Sequence, residues 1–331
     1  MGIETEAKVD AELTFEQYAG PFLRMFKNRE LVPPLFFTYY AAAVRDPVRL
    51  RGNFLRTKHG FDMVEGRGKV VLDVGCGFGH NGLWAAMLGA AHVHCIDLDR
   101  IKIQTCAKLA GEFGVADKVE ARIGSAFELP YPDRSIDAIL NYECIEHFED
   151  LGLFFREAAR VLTPGGRIFS QTGANALSVL RVIPRVCFFR DIERTQFIPR
   201  RAEKLKGWFP ALPHAETERL ALYTRGLTRE AIRVRAQEML EGKKARKPSR
   251  FSPIIDPDSG VWAERPINPY GVVRVMREAG LEGRVLRSTM FITGKSWKRK
   301  LANVIGKMIT ATHPVSLLVS PTIQTLGLKQ R

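Results

Sequence analysis

The sequence lacks several features that would place it in a small, fibrous or membrane class of protein. Its five cysteines include no C-x-x-C pair, which excludes a disulfide framework and a zinc ribbon. The most apolar late stretch, residues 301–319, is interrupted by Lys307, His313 and Pro314, so it falls short of the roughly 18 apolar residues that a membrane span needs. The first 17 residues are acidic and polar rather than basic and then apolar. We therefore expect a cytoplasmic protein with no export signal.

Acidic residues are scarce relative to basic ones. The chain of 331 residues has 50 Lys and Arg against 36 Asp and Glu, which gives a net charge of +14. Of this excess, +8 lies in residues 173–265, which contain 19 basic and 11 acidic residues. Such a balance favours anionic partners, whether nucleic acid, lipid headgroups or acidic ligands. The hydrophobic fraction of 45% predicts a chain that buries a core.

The order of apolar patterns predicts an α/β fold. Apolar and aromatic residues recur at helical spacing between residues 13 and 45, and Pro33 and Pro34 predict a break between two helices. After Lys69, short apolar runs alternate with amphipathic ones, which is typical of β-α-β units in a doubly wound, mostly parallel sheet. Seven strands are predicted, near residues 70–74, 92–97, 119–123, 136–141, 167–172, 284–292 and 322–328. Further helices are predicted at residues 81–88, 99–113, 151–162, 269–279 and from about residue 297.

These patterns divide the chain into four parts: a helical N-terminal cap (1–68), a core (69–172), a basic insertion (173–265) and a segment that completes the sheet (266–331). Within the insertion, residues 177–190 mix bulky apolar residues with arginines and contain no acid. This composition suits a substrate lid, which we favour, and also a segment that lies in a membrane interface. The basic run Lys243–Lys247 is expected to be a solvated loop.

A glycine motif stands at the start of the core. Residues 71–79 read VLDVGCGFG, a strand that runs into G-x-G-x-G and then into a helix. Glycines allow a sharp turn and close approach of a ligand, and the helix N-terminus adds N–H donors. Asp97 ends the second strand, where a carboxylate can accept from both hydroxyls of a ribose. The spacing differs from the dinucleotide motif G-x-G-x-x-G, which disfavours a pyrophosphate ligand.

Together with CIDLD, GSAFELPYPDRSIDAILN and REAARVLTPGGRIF, this motif makes residues 70–172 resemble the class I S-adenosylmethionine-dependent methyltransferases. The resemblance implies a Rossmann-like seven-stranded fold and S-adenosylmethionine as cofactor. It also implies a set of cofactor-binding residues for the methionine end, the ribose and the adenine: Asp73, Gly75, Cys76, Gly77, Gly79, Asp97, Leu98, Ser125, Ala126 and Asn141. Ser125 departs from the Asp that this family often has, so adenine contact would rely on the backbone. The alternative is a copy of the fold that no longer binds cofactor.

The segment after the fourth strand, Asn141–His147, is expected to face the methyl acceptor, because ligands bind beyond the strand ends of open α/β sheets. If this turn is helical, Glu143, Glu146 and His147 share one face and suit a divalent cation. Their E-x-x-E-H pattern resembles the magnesium site of ubiquinone-pathway O-methyltransferases and of small-RNA 3′-end 2′-O-methyltransferases. Two metal-free interpretations remain: His147 with Glu146 as catalytic base or orienting group, and purely structural roles.

Other conspicuous residues have simpler interpretations. His92 and His94 alternate with apolar residues on the second strand, and we expect half-buried side chains rather than ligands. Cys144 is expected to be a packed thiol, since no proline precedes it as in cytosine-C5 enzymes. The sequence N-Y-E-C at this position lacks the prolines of adenine-N6 enzymes.

The sequence thus predicts an S-adenosylmethionine-dependent enzyme that methylates a hydroxyl on a small or lipid-linked molecule, of glycan, phenol or polyketide type, with Mg²⁺ as an open question. The rivals are an RNA 2′-O-methyltransferase, an N-methyltransferase of a small molecule, and a non-enzymatic cofactor-binding subunit. The net charge of +14 favours RNA, but no RNA-binding module is recognisable. Peripheral contact with the inner face of a membrane stays open, and nothing indicates the oligomeric state.

Overall fold

The structure, a computed structural model, describes residues 13–27, 32–178, 190–248, 254–258, 265–287 and 315–330. The strands are β1 Val70–Val74, β2 His92–Asp97, β3 Val119–Ile123, β4 Ile136–Tyr142, β5 Leu162–Thr172, β6 Leu281–Leu286 and β7 Ile323–Lys329. They form a seven-stranded sheet in the order β3-β2-β1-β4-β5-β7-β6. β1 pairs in parallel with β2 and β4, as does β2 with β3, whereas β7 runs antiparallel to β5 and β6. The predicted doubly wound, seven-stranded α/β fold is confirmed, and its sheet is mixed because β7 is antiparallel to its neighbours.

Described helices lie before the first strand and between later ones. The helices are α1 Phe15–Lys27, α2 Pro34–Val44, α3 Pro47–Met63, α4 His80–Met87, α5 Arg100–Glu112, α6 Leu151–Val161, α7 Ile198–Trp208, α8 His214–Tyr223, α9 Arg229–Leu240, α10 Pro269–Glu278 and α11 Val315–Val319. A 3₁₀ turn spans Ile145–His147, and a π-helical turn, Glu193–Phe197, leads into α7.

The described chain divides into two compact units. Unit one comprises the described residues up to Ala126 together with Pro130–Leu140, and unit two comprises Phe127–Leu129 together with the described residues from Asn141 onward. The division cuts through the predicted core, residues 69–172, because both units contain strands. The predicted boundaries at residues 68, 172 and 265 stay predictions.

In unit one, β1 forms the centre of the sheet. Val71, Leu72 and Val74 are at most 1% exposed, which is typical of a parallel strand covered on both faces and explains why every residue of β1 except Asp73 is apolar. The predicted N-terminal helices are present as α1 and α2, and a third helix, α3, follows.

The N-terminal helices are joined to α4 by buried hydrogen bonds. The indole N–H of Trp84 donates to the carbonyl of Tyr18 at 3.0 Å, and the Thr57 hydroxyl donates to the Asn81 side chain at 2.6 Å. The Asp46 carboxylate accepts from Val48 N–H and caps the start of α3. Because α4 directly follows the glycine motif, these contacts from the N-terminal helices also help to fix the position of that motif.

In unit two, β5, β7 and β6 form the antiparallel part of the sheet and α10 packs on it. Two predicted boundaries were wrong. β6 begins at Leu281 instead of residue 284, because Leu281 and Gly283 alternate inward with exposed residues and pair with β7. β5 begins at Leu162 instead of residue 167, and the added residues include Gly165 at a φ of 82°. The helix expected from residue 297 lies outside the described residues.

The described part of the insertion, residues 173–178, 190–248, 254–258 and 265, contains helices and no strand. Helices α7, α8 and α9 enclose a small apolar core that contains Leu205, Leu220 and Ile232. Arg201 is buried in an ion pair with Glu193, and its Nε donates to the carbonyl of Ala221 at 2.8 Å. Burial lowers the pKa of Arg201, and the facing Glu193 carboxylate opposes that shift.

Two predictions concern the surface of this region. Most of the basic run Lys243–Lys247 is exposed, as expected. The mixed apolar and arginine segment falls almost entirely at residues 179–189, outside the described residues. Within the described ranges, no helix is both long and apolar enough to cross a bilayer.

Candidate cofactor site

The loop between β1 and α4 turns sharply and is fixed by main-chain hydrogen bonds. Gly75 N–H and Cys76 N–H both donate to the carbonyl of Ile96 on β2, at 2.8 and 3.0 Å. Gly75, Gly77 and Gly79 have φ values of 67°, 57° and 85°, a region that residues with a Cβ rarely adopt. The G-x-G-x-G spacing is therefore required by the backbone itself.

Gly77 and Gly79 have opposite surroundings. A Cβ added at Gly79 would overlap the Sγ of Cys106, so this glycine closes the loop onto α5. A Cβ added at Gly77 would meet nothing within 4 Å. Gly77 therefore borders open space, which is where a ligand could approach the main chain.

Asp97 stands at the carboxyl end of β2 and its carboxylate is held by two main-chain donors. Gly77 N–H donates to Oδ2 and Asp99 N–H donates to Oδ1, both at 2.9 Å. Asp99 in turn caps α5 by accepting from Ile101 and Lys102 N–H. A carboxylate has about four acceptor positions, so Asp97 retains capacity for two further donors such as ribose hydroxyls.

Asp73 is a buried carboxyl group on β1. Its Oδ2 accepts from Gly82 N–H in the first turn of α4 at 2.9 Å. Burial raises the pKa of Asp73 to about 8, and the nearby Cys106 and Asp97 act in the same direction. Its Oδ1 has no hydrogen-bond partner among the residues that the structure describes. A buried polar atom of this kind usually marks a position that a ligand, water or ion satisfies.

Cys76 belongs to a buried cluster beneath the loop. The Sγ atoms of Cys76, Cys95 and Cys106 all lie within 4.8 Å of one another, and all three residues are buried. Burial raises the pKa of the Cys76 thiol. Because this side chain is buried in the cluster, Cys76 can serve a ligand only through its main chain.

The rim beyond β2 and β3 is apolar. Leu98 is 66% exposed directly after Asp97, and Ile123, which lies opposite Asp97 in the β2–β3 register, is 40% exposed. Ser125 and Ala126 follow and are half-buried. Exposed apolar side chains beside a ribose acceptor suit the faces of an adenine ring. Ile123 was missed by the sequence analysis, although its place as the last residue of β3 was a usable signal.

A second set of residues missed by the sequence analysis connects α2 to the loop. The Tyr40 hydroxyl and His80 Nδ1 are 2.9 Å apart, and burial lowers the pKa of His80 to about 3, so its imidazole is neutral. Phe78, between the second and third glycines, packs edge-on against the Phe36 ring with centroids 5.4 Å apart. The cap therefore holds both the loop and the first residue of α4.

These observations fit S-adenosylmethionine. The open main chain at Gly77, the unsatisfied Oδ1 of Asp73 and the remaining acceptor capacity of Asp97 are what a ligand with an amino acid end and a ribose requires. Asp73, Gly75, Gly77, Gly79, Asp97, Leu98, Ser125 and Ala126 all lie in unit one.

The segment after β4 belongs to unit two. Asn141 is fully buried at the end of β4. Glu143 has a φ of 49°, its N–H donates to the carbonyl of Gln171 at 2.8 Å, and its Oε2 accepts from Gly173 N–H at 2.8 Å. The residue therefore ties the end of β4 to the end of β5.

The premise that Glu143, Glu146 and His147 share one helical face was wrong. The 3₁₀ turn begins only at Ile145, and the left-handed backbone at Glu143 places that residue outside it. Glu146 is 2% exposed, whereas Glu143 is exposed and engaged with Gly173. Within the described ranges, triplets of ligand atoms that converge to within 4.8 Å are Cys76, Cys95 and Cys106, and His92, His94 and Glu120. The residues after β4 do not fit a preformed Mg²⁺ site.

Comparison with known proteins finds methyltransferases that are similar to the part of the chain containing this site. Residues 72–170 match the family model described as "Methyltransferase domain". Over 111 residues the chain is 38% identical to "Probable tocopherol O-methyltransferase, chloroplastic" from Oryza sativa subsp. japonica, covering 34% of this chain and 31% of that protein. Over 107 residues it is 35% identical to "Ajmaline N-methyltransferase" from Rauvolfia serpentina, covering 32% of this chain and 37% of that protein. Residues 72–170 therefore form a class I, Rossmann-like methyltransferase domain.

Two further matches are one curated protein and one solved structure. Over 101 residues the chain is 36% identical to "27-O-demethylrifamycin SV methyltransferase" from Amycolatopsis mediterranei (strain S699), covering 30% of this chain and 37% of that protein. Geranyl diphosphate C-methyltransferase from Streptomyces coelicolor A3(2) superposes with a TM-score of 0.45 and 14% identity, over 84% of this chain and 78% of that one. The chain spans about a third of the length of the curated relatives it matches.

Proposed function

We propose that this protein binds S-adenosylmethionine in unit one and transfers its methyl group to a hydroxyl of a small or lipid-linked molecule. The observation that carries the proposal is the Asp97 carboxylate, which two main-chain N–H groups fix beside a glycine loop that is open at Gly77. A carboxylate held in this way is preorganised to accept from both hydroxyls of a ribose.

In the proposed complex, the residues of unit one bind and orient the cofactor. Asp97 would accept from the ribose hydroxyls, Leu98 and Ile123 would contact the adenine, and Ser125 would contribute its main chain. Asp73, Gly75 and Gly77 would hold the methionine end. The cofactor supplies an electrophilic sulfonium methyl group when bound. The protein then has to hold the acceptor in line and take up its proton.

His147 is the proposed proton acceptor. It is half-buried in the 3₁₀ turn that follows β4, and ligands bind beyond strand ends in open α/β sheets. A neutral imidazole can take up the proton of a hydroxyl group. Glu146 is buried and directly precedes His147 in the sequence, so we assign it a positioning role. Its main-chain carbonyl accepts from Arg265 N–H at 3.3 Å.

The names of relatives support an oxygen acceptor and also keep a nitrogen acceptor open. The names of the rice and Amycolatopsis proteins indicate a tocopherol-type phenol and a rifamycin-type alcohol, whereas the Rauvolfia protein is named for N-methylation of an alkaloid. When the methyl group is transferred to a nitrogen atom, no base such as His147 has to remove a proton during the transfer. Dependence on His147 therefore separates the two acceptor types.

The cofactor assignment is tested by calorimetry with S-adenosylhomocysteine. Asp97→Ala should weaken binding at least tenfold, about 1.4 kcal/mol, because two hydrogen bonds to a charged acceptor are lost. The matched control is Asp150→Ala, which removes a helix-capping carboxylate from α6 in unit two and should leave affinity unchanged. Equal affinity of the Asp97 variant and the wild type would disprove the assignment.

The acceptor is tested by offering labelled cofactor with a tocopherol-type phenol, a rifamycin-type alcohol, an alkaloid amine and RNA. We expect label in a hydroxyl compound, with turnover abolished in His147→Ala and unaffected by a chelator. Label in the amine that survives His147→Ala would establish N-methylation instead. Label in RNA would replace the proposal with RNA methylation.

Contact with lipid is a separate part of the proposal. Apolar residues interleaved with Arg181, Arg185 and Arg190 would add buried area to electrostatic attraction, so binding to anionic vesicles should partly survive moderate salt. Binding that tracks RNA phosphates would fall by orders of magnitude between about 50 and 200 mM salt. Vesicle binding that is indifferent to replacing Phe188 and Phe189 with Ser would exclude this segment as the contact.

A further inference from the structure

A cluster of two histidines and one glutamate lies on β2 and β3, away from the glycine loop. His92 and His94 are two residues apart on β2 and so project from the same face, and His94 lies opposite Glu120 in the parallel register with β3. The two imidazole rings have centroids 4.6 Å apart, and His94 Nδ1 lies 3.0 Å from Glu120 Oε2. One ligand atom from each of the three side chains lies within 4.8 Å of the other two.

We propose that His92, His94 and Glu120 bind a divalent first-row transition metal ion such as Zn²⁺ or Ni²⁺. Two imidazole nitrogens and one carboxylate oxygen are a donor set that these ions favour, with the remaining positions open to water. Bonds of about 2.0 to 2.2 Å to a metal place adjacent ligand atoms about 3 to 3.5 Å apart. The separation of 3.0 Å between His94 and Glu120 already meets that requirement.

The two oxygens of Glu120 have different partners, which suits a metal ligand. Oε2 faces His94, while Oε1 lies 3.1 Å from the guanidinium of Arg122 on the same strand. A ligating carboxylate is usually oriented by an outer hydrogen bond of this kind. Tyr131 packs against the His94 ring with centroids 4.7 Å apart and limits its rotation. Arg122 and Tyr131 therefore act as positioning groups.

Access also favours this cluster. All three residues are partly exposed, with side-chain exposures of 16% for His94 and 41% for Glu120, although the His94 Nδ1 atom itself is buried. The cluster of Cys76, Cys95 and Cys106 is the contrasting case, because it is buried and would have to become a group of thiolates near the buried Asp73 carboxyl. Charging several buried groups of one sign is costly. An ion can bind the cluster on β2 and β3 without the ionisation of several buried thiols.

The consequence for the fold is a crosslink between β2 and β3. Within the described sheet β3 is at the edge and pairs only with β2. An ion that binds the folded chain and not the unfolded one stabilises the fold by mass action. The site would therefore reinforce the edge strand that leads into Gly124 and Ser125.

The test is calorimetric titration of the full chain with Ni²⁺, after removal of any affinity tag and treatment with a chelator. We expect one Ni²⁺ per chain, at least tenfold weaker binding in His92→Ala and in Glu120→Gln, and competition by Zn²⁺. The matched control is His214→Ala on α8, where the histidine lies 3.6 Å from Glu218 without a second imidazole. This variant should bind as the wild type does.

A stability measurement guards against variants that fail to fold. Ni²⁺ should raise the midpoint of thermal unfolding of the wild type and of His214→Ala, and should leave the midpoint of His92→Ala unchanged. His92→Gln, which keeps the size and polarity of the side chain, should behave like His92→Ala. The proposal is overturned if the wild type binds no Ni²⁺, or if replacing His92 and Glu120 leaves its affinity unchanged.

Discussion

The loop after β1 and the segment after β4 both follow a central strand, yet they are fixed in different ways. The loop is held by main-chain donors to fixed acceptors, as in the paired bonds of Gly75 and Cys76 to Ile96. The segment after β4 is held partly through a side chain. The Glu143 carboxylate accepts from Gly173 N–H, in addition to the main-chain bond from Glu143 N–H to Gln171, and the Glu143 backbone is left-handed. A backbone-fixed loop tolerates almost no change at its glycines. A side-chain-fixed segment can change its chemistry while the strand before it stays the same.

This difference suits the two tasks that the proposed function assigns. A cofactor common to a whole class of enzymes can be bound mostly by main chain. An acceptor that differs from enzyme to enzyme has to be recognised by side chains. The relatives fit this division, because the matched residues share the methyltransferase domain while their names cover both oxygen and nitrogen acceptors.

The largest expected effect is the loss of stability in Gly79→Ala. The new Cβ would overlap the Sγ of Cys106, and the φ of 85° strains any residue with a Cβ. Overpacking and backbone strain together should cost about 2 to 5 kcal/mol, measured by urea unfolding.

Gly77→Ala is the matched control for this prediction. It has the same kind of backbone, with a φ of 57°, but nothing lies within 4 Å of its added Cβ. It should lose only about 1 kcal/mol of stability, while its affinity for S-adenosylhomocysteine falls because a side chain occupies the ligand's space. Equal loss of stability in both variants would contradict the inference that Gly79 is packed against Cys106 whereas Gly77 borders open space.

The second prediction concerns the pH dependence of stability. Asp73 has a pKa of about 8 in the folded protein against an ordinary value of 3.8. Between these values the unfolded chain is ionised while the folded chain keeps the proton, so stability decreases as pH rises, by at most about 1.4 kcal/mol per pH unit. Asp73→Asn cannot ionise and should remove this slope.

The measurement is urea unfolding of the wild type and of Asp73→Asn at several values between about pH 5 and pH 8. The stability of the variant relative to the wild type should rise steadily with pH. His80, with its pKa of about 3, contributes a slope of the opposite sign below its ordinary value of 6.5, but it does so equally in both proteins. A difference that stays constant with pH would show that Asp73 is already ionised.

The fold and the cofactor loop could largely be predicted because their signals are local. β1 and β4 are mostly apolar, with Asp73, Asp137 and Asn141 as the polar exceptions, and the turn between β1 and α4 needs glycine at fixed spacing. The boundary of β6 was missed because short strands at this end of the sheet depend on antiparallel pairing with β7, which is distant in sequence.

The residues that were missed depend on pairing across the fold. The contact between Tyr40 and His80 joins residues 40 positions apart, and the approach of Glu120 to His94 follows from the strand register. The helical face expected for the E-x-x-E-H pattern is absent for the opposite reason. Its residues are close in sequence, but the left-handed backbone at Glu143 separates them, and no local pattern indicated that backbone.

The smallest expected effect concerns Glu143. Glu143→Ala removes the acceptor for Gly173 N–H and keeps a Cβ at a φ of 49°, so it should lose about 1 kcal/mol of stability. Glu143→Gly loses the same hydrogen bond but relieves the backbone, so its loss should be smaller, and Glu143→Gln keeps an acceptor and should be nearly neutral. Chemical unfolding of the three variants gives this order. In the methyl transfer assay we expect none of them to create or remove a response to chelator, because the Glu143 carboxylate is engaged with Gly173 N–H. Chelator-sensitive turnover in the wild type that disappears in Glu143→Gln would reverse that conclusion.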